Sequence, residues 1–407
     1  MKYGVIAHTT TTNLGDDVQT YAAMKLLPRV DYFLTRERLD SFRSENNEPV
    51  AVVMNAWWMW EKWNWPPADC IYPLMVSMHM NNYTYRENGT PVQSEWLEGL
   101  GGEYFRAYGP VGARDQTTVD FFQNHNIDTY FSGCMTLTLP KQKVTPDAGT
   151  YVCLVDLKPE LEAKAREWLK DTGLEIRTMT HKCNYRNVEV SMEERMKTVE
   201  EVLTVYQNAK MVITSRLHVT LPCLALEVPV MSIVDLNIPK NHTRWAPYTD
   251  WVNYISEKDF INHHFTYDFQ NPVPNPDTYR ATRESLIQKV KDFVAETDGD
   301  FTVEQLKKTT YTEQEAYEWQ HELMHWTLDT WLYANRSLLK DINKYKKEAE
   351  KAKREAKKLK KELAELKKLC PDPKKYKAME TQLKYLKFSD VVRCYHRRLK
   401  RKLSKKK

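Results

Sequence analysis

No stretch of the chain approaches the ~18 consecutive apolar residues of a membrane span, so no spanning helix is expected. There is no Cys-x-x-Cys pair and no cysteine grouping at metal-ligand spacing; no metal site is expected. The seven cysteines (Cys70, Cys134, Cys153, Cys183, Cys223, Cys370 and Cys394) are scattered and odd in number. Several sit in apolar, strand-like settings, which argues against a disulfide scaffold and for reduced thiols in a cytosolic protein. Met1-Lys2-Tyr3-Gly4-Val5-Ile6-Ala7 reads as a short strand, too brief for a signal-peptide core. No DNA- or RNA-binding motif occurs. The Asn-x-Ser/Thr triplets at Asn82, Asn88, Asn241 and Asn335 read as chance matches.

What is present supports sizeable cores. The 407 residues are 42% hydrophobic, with 12 Trp and 23 Tyr, and the length suits two domains and an appendage. The net charge of +5 conceals a division. Residues 340–407 carry 27 Lys and Arg against 9 Asp and Glu, while the remainder carries 33 against 46. An acidic body with a basic tail is thus predicted.

Apolar β-rich runs at 3–7, 50–55 and 129–131 alternate with helical patterns at 18–27 and 117–124. A polar stretch between Pro140 and Pro146 reads as a linker. Runs at 151–157, 175–180, 211–214 and 230–234 then alternate with helices at 159–172 and 192–207 and a short apolar one at 219–228. This predicts an α/β fold of two Rossmann-like doubly wound domains, 1–147 and 148–300. An amphipathic helix at 277–296 would return onto the first half. Residues 301–337 read as connecting helices and 338–407 as a basic coiled-coil or helical-hairpin tail. In that tail Leu338, Ile342, Tyr345, Ala349, Ala352, Ala356, Leu359, Leu363, Leu366 and Cys370 alternate spacings of four and three, a heptad seam.

Three polar loops fall at predicted strand ends, where open α/β sheets bind ligands. Ser215-Arg216-Leu217-His218 follows a buried strand: a planar cation beside a titratable imidazole suits an anion site with a proton donor. Its bland alternative is a strand-capping Arg and a satisfied His. Gly112-Ala113-Arg114-Asp115 places Asp115 as a helix N-cap and leaves Arg114 for an anion. Asn13-Leu14-Gly15-Asp16-Asp17 precedes a helix, with Asp16 or Asp17 as N-cap or catalytic carboxylate. The aromatic cluster Trp57-Trp58-Met59-Trp60, with Trp63 and Trp65, reads as core or, through Trp57 and Trp58, as a platform for a sugar ring. His79 sits in a buried-strand pattern and is a weaker candidate; His263 and His264 read as a solvated pair.

These three loops in order, with Gly133-Cys134-Met135-Thr136-Leu137-Thr138-Leu139 and Leu226-Glu227-Val228-Pro229-Val230, resemble the polysaccharide pyruvyl transferase family over roughly residues 1–265. The resemblance implies a GT-B-like pair of domains and transfer of an enolpyruvyl unit from phosphoenolpyruvate to sugar hydroxyls as a ketal. It implies phosphoenolpyruvate binding by Arg216, Arg114, Asn13, Gly15 and Ser215, with His218 as acid and Asp16 as the second catalytic group. The loop His8-Thr9-Thr10-Thr11-Thr12 departs from the family in lacking its extra glycines. No cofactor is implied beyond the donor substrate. The expected partner is a saccharide acceptor, lipid-linked in one version, at the inner face of a membrane that the basic tail would touch. A homodimer through the seam is a further expectation, and no nucleic acid is expected. Two alternatives stay open: a GT-B glycosyltransferase using a sugar nucleotide, and a nucleic-acid-binding protein acting through the tail.

Overall fold

The structure is a computed structural model and describes residues 1–58, 61–80, 95–185 and 188–369. Met1–Thr327 form one compact unit and Leu328–Lys407 a second.

The first half of the larger unit runs β1 (Lys2–Ala7), α1 (Leu14–Met24), β2 (Tyr32–Thr35), β3 (Val50–Val53), β4 (Trp57–Trp58), β5 (Ile71–Leu74), β6 (His79–Met80), α2 (Leu100–Tyr108), β7 (Val111–Ala113), α3 (Gln116–Gln123) and β8 (Thr129–Phe131). Its main sheet has the order β2-β1-β3-β5, all parallel. Val50–Val53 are buried on both faces, which is why the strand reads as an unbroken apolar run. The pairs β4–β6 and β7–β8 are also parallel, and a bridge from Met78 to Ala113 joins them.

The second half runs β9 (Tyr151–Val155), α4 (Pro159–Leu169), β10 (Glu175–Met179), α5 (Met192–Asn208), β11 (Met211–Thr214), α6 (Leu217–Leu226), β12 (Val230–Ile233), α7 (Pro239–Trp245), β13 (Asn253–Ile255) and α8 (Glu257–Ile261). Its five-stranded parallel sheet has the order β10-β9-β11-β12-β13. Both sheets therefore follow the flavodoxin-like order 2-1-3 rather than the Rossmann order 3-2-1. The strand order reverses between β1 and β3 in one sheet and between β9 and β11 in the other. Ligand crevices open at such reversals, beyond the strands' carboxyl ends.

α9 (Arg280–Glu296) ties the halves together. Tyr279, its N-cap residue, donates its hydroxyl to the Leu224 carbonyl, and Arg283 reaches the carbonyls of Ala225 and Leu139. At the other end Phe293 stacks on Tyr72 with centroids 5.9 Å apart, and the Tyr72 hydroxyl donates to Glu296 at 2.6 Å. After α10 (Val303–Leu306), α11 runs unbroken from Glu313 to Leu369. The heptad positions from Leu338 to Leu366 lie on this helix; Cys370 lies outside the described residues.

Two sequence readings change. α1 begins at Leu14 because Asn13, not Asp16 or Asp17, is the cap: its side chain accepts the Gly15 N–H at 3.3 Å. Both aspartates then sit in the first turn, where negative charge favours the helix dipole. Trp58 is not a sugar platform. It is fully buried and meets Trp65 edge to face, and Trp65 in turn stacks on Phe105 at 4.7 Å. Burying that much apolar area outweighs leaving a ring open to solvent. The side chain of Trp57, with Met59 and Trp60, lies outside the described residues.

Candidate active site

At the reversal between β9 and β11, Asp156 follows one strand and Ser215-Arg216 follow the other. Asp156 is held at φ 49° and accepts hydrogen bonds from Thr180 Oγ1 at 2.7 Å and the His181 N–H at 2.8 Å. Burial pushes its carboxyl up, but those two bonds and Arg216 outweigh burial and hold it below the usual range, so it is ionised. Arg216 Nε lies 2.5 Å from Asp156 Oδ2 as an ion pair. Its Nη1 crosses to the other half and donates to Asn13 Oδ1 at 3.2 Å. Ser215 turns its hydroxyl to the Asp156 carbonyl at 3.4 Å.

The first-half loop is stitched to the second half. Leu14 N–H donates to the His181 carbonyl at 2.7 Å and Cys183 N–H to the Thr12 carbonyl at 3.1 Å. Below it, Asp17 and Arg195 form a buried ion pair between α1 and α5. Gly15 is required by close approach: a Cβ there would lie 2.8 Å from His218 Cβ and 3.0 Å from its Nδ1. Asp16 is half-buried and accepts from Thr11 Oγ1 at 2.6 Å.

Arg114 leaves β7 buried, with Nη1 2.7 Å from Gln19 Oε1 and 3.4 Å from His218 Nε2. A guanidinium only donates, so Nε2 is the acceptor and the imidazole carries its proton on Nδ1. Burial first, then the charges of Arg114 and Arg244, push His218 well below its ordinary value. Arg114, Arg216, His218, Asn13 and Gly15 are thus brought together from three loops and both halves. Asp16 stands beside them on the first turn of α1, and Ser215 on the Arg216 loop.

Five further groups converge here; of these the sequence had offered Asp115 only as a cap and His79 only as a weaker candidate. Asp115 caps α3 through Oδ1, accepting the Thr118 N–H at 2.9 Å, and holds His79 Nδ1 at 2.5 Å through Oδ2. Burial pushes Asp115 up, yet His79 and Arg114 hold it well below the usual range. His79, lowered by burial against the opposing pull of Asp115, stays neutral with Nδ1–H donated to the carboxylate. No local signal marks His79; it meets Asp115 only through the Met78–Ala113 bridge. His8, Asn55 and His181, by contrast, stand just past β1, β3 and β10, so the strand-end rule applied to every strand finds them. The ring nitrogens of His8, the Asn55 Oδ1 and the His181 Nδ1 are all buried without a hydrogen-bond partner.

His8 and His181 are each pushed down to about 4, chiefly by burial. Depressed imidazoles give stability that is full above about pH 6.5 and lost as pH falls through 4; Asp17, raised to about 6 chiefly by burial, works oppositely. At pH 4.5 the two histidines cost about 2–3 kcal/mol each and Asp17 returns about 2. These three groups together cost roughly 3 kcal/mol between pH 7.5 and 4.5, and the depressed His79 and His218 add to that in the same direction, so urea unfolding is expected to show a loss of at least that size. Equal stability at both pH values would contradict it.

A model of the polysaccharide pyruvyl transferase family matches residues 13–235. The chain belongs to that family. The match starts at the Asn13 cap and includes every polar residue of the three loops. No curated protein matches the chain. Among solved structures, a functionally uncharacterised protein from Klebsiella pneumoniae is 12% identical, with 62% of this chain and 92% of that one covered and a TM-score of 0.35. The UDP-GlcNAc 2-epimerase of Methanocaldococcus jannaschii is 11% identical, covering 80% and 100%, with a TM-score of 0.34. The Escherichia coli heptosyltransferase WaaC is 14% identical, covering 73% and 99%, with a TM-score of 0.28.

Proposed function

We propose that this protein moves a pyruvyl unit from phosphoenolpyruvate to hydroxyls of a saccharide in surface-polysaccharide assembly, in a crevice between two GT-B-like halves. One observation supports it above all: Arg114 reaches the buried imidazole of His218, while Arg216, two residues before that imidazole, crosses to Asn13 where both sheets reverse their strand order. Phosphoenolpyruvate is a small dense anion with a phosphate and a carboxylate, matched to two planar forks.

The same geometry suggests how His218 acquires its proton. Without donor, Arg114 and burial keep the ring neutral. A bound polyanion compensates Arg114 and raises the imidazole pKa, so the acid forms where the donor sits. His218 then protonates the methylene carbon, giving a cationic centre at the adjacent carbon. A sugar hydroxyl attacks that centre and Asp16 takes its proton; a second hydroxyl, its proton passing to the now neutral His218, displaces phosphate, which leaves with the Asp16 proton as the ketal closes. No cofactor enters, because the phosphate is the donor's own leaving group.

Ligand-induced thermal stabilisation tests this, comparing phosphoenolpyruvate, UDP-GlcNAc and single-stranded RNA. Only phosphoenolpyruvate is expected to raise the melting temperature, by the equivalent of about 2.7 kcal/mol at a hundredfold excess over Kd. Stabilisation by the sugar nucleotide alone would replace the reading with a glycosyltransferase; stabilisation by RNA alone, with a nucleic-acid-binding protein.

We place the reaction at the inner face of an anionic membrane, on a lipid-linked saccharide, with the heptad seam pairing two copies. Among the described residues no helix is long and apolar enough to cross a membrane. The cationic tail offers peripheral contact instead, at about 1 kcal/mol per basic residue near such a surface. Salt-sensitive co-sedimentation with anionic vesicles is expected for the full chain and not for a chain ending at residue 337. Equal sedimentation of both, or of neither, would remove the tail from recruitment.

A further inference from the structure

We propose that His321 and His325 form a chelating site for a divalent transition-metal ion on the exposed face of α11. The two residues are four apart, so their side chains rise from adjacent turns of one helical face. Both are exposed, and their Nε2 atoms lie 3.2 Å apart. Metal–imidazole bonds of about 2.0–2.1 Å place two nitrogens on one tetrahedral ion ~3.3 Å apart. The pair therefore already has the separation that a single ion requires. In the metal-free state one nitrogen must carry a proton to face the other; an ion takes the place of that proton. The His321 ring is further held by stacking against Tyr317, with centroids 6.2 Å apart and planes 25° apart, which limits the rotamers lost on binding.

The order His321-Glu322-Leu323-Met324-His325 is also that of helical zinc sites in metalloproteases. The hydrolytic reading requires a third protein ligand, and among the described residues no group of three His, Cys, Asp or Glu side chains gathers. Water completes the coordination here, and the site binds rather than catalyses. Neutral imidazole donors with open positions suit Ni²⁺, Cu²⁺ and Zn²⁺.

Calorimetric titration of the full chain with NiCl₂ tests the proposal, with His321→Ala, His325→Ala and the double variant in parallel. Wild-type protein is expected to bind one equivalent that the double variant lacks. Each single variant should weaken it at least ~10-fold, because one-point attachment replaces chelation. A metal-dependent rise in melting temperature, absent from the variants, should accompany it. Because both side chains are exposed, the metal-free melting temperatures should agree across the four proteins, which separates lost binding from lost folding. Nickel binding of equal affinity and stoichiometry in wild type and double variant would overturn the site.

Discussion

Replacing His218 by alanine is expected to lower turnover at least ~100-fold, the low end for general acid–base catalysis, while phosphoenolpyruvate binds nearly as before. The motivation is the division of labour around the ring. Arg114 and Arg216 supply fixed charge, while His218 Nε2 is the titratable atom facing Arg114. Its neutral resting form means that turnover requires the donor's charge, so the loss should appear in kcat rather than in donor affinity. Single-turnover rates and a donor binding isotherm separate the two. If turnover persists and only affinity falls, His218 is a binding residue and the acid lies elsewhere.

Arg216→Lys is expected to weaken phosphoenolpyruvate binding ~10-fold or more although the charge is kept. In the structure Arg216 does three things at once: it pairs with Asp156 through Nε, bonds Asn13 through Nη1, and keeps its side chain 30% exposed at the crevice. A lysine ammonium is a point charge. Drawn to the ionised Asp156, it gives up the bond to Asn13 and the planar edge that meets a carboxylate or phosphate. The binding isotherm for phosphoenolpyruvate reads the effect directly. Unchanged affinity in the variant would show that the donor is held by other groups.

Much of this was legible in the sequence, for a physical reason. Strands buried on both faces, such as Val50–Val53 and Met211–Thr214, are apolar throughout, and the polar residue that follows each one marks the crevice. That rule found Arg216 and His218. It also pointed to Asn13, although the helix start was misplaced: an Asn cap followed by two acidic residues offers three plausible starting points. What stayed hidden depends on contacts through space. His79 lies in a segment that reads as core, and only the bridge to Ala113 brings it to Asp115. Trp58 carries the same side chain whether it stacks on a sugar or on Trp65; only burial separates the two. α11 continues past residue 337, where the basic composition changes while the helical periodicity does not.

The return of α9 onto β1 has a consequence for how the chain is made. Tyr3 in the first strand donates its hydroxyl to the Val294 carbonyl, a partner 291 residues later, and Tyr72 waits for Glu296, 224 residues later. A ribosome adding about 5–20 residues per second needs roughly 10–60 s to supply them. During that interval the emerging first sheet lacks the cover of α9. The surface around Tyr3 and Tyr72 that α9 later packs against is then exposed to the nascent-chain environment, where chaperones and aggregation compete for it.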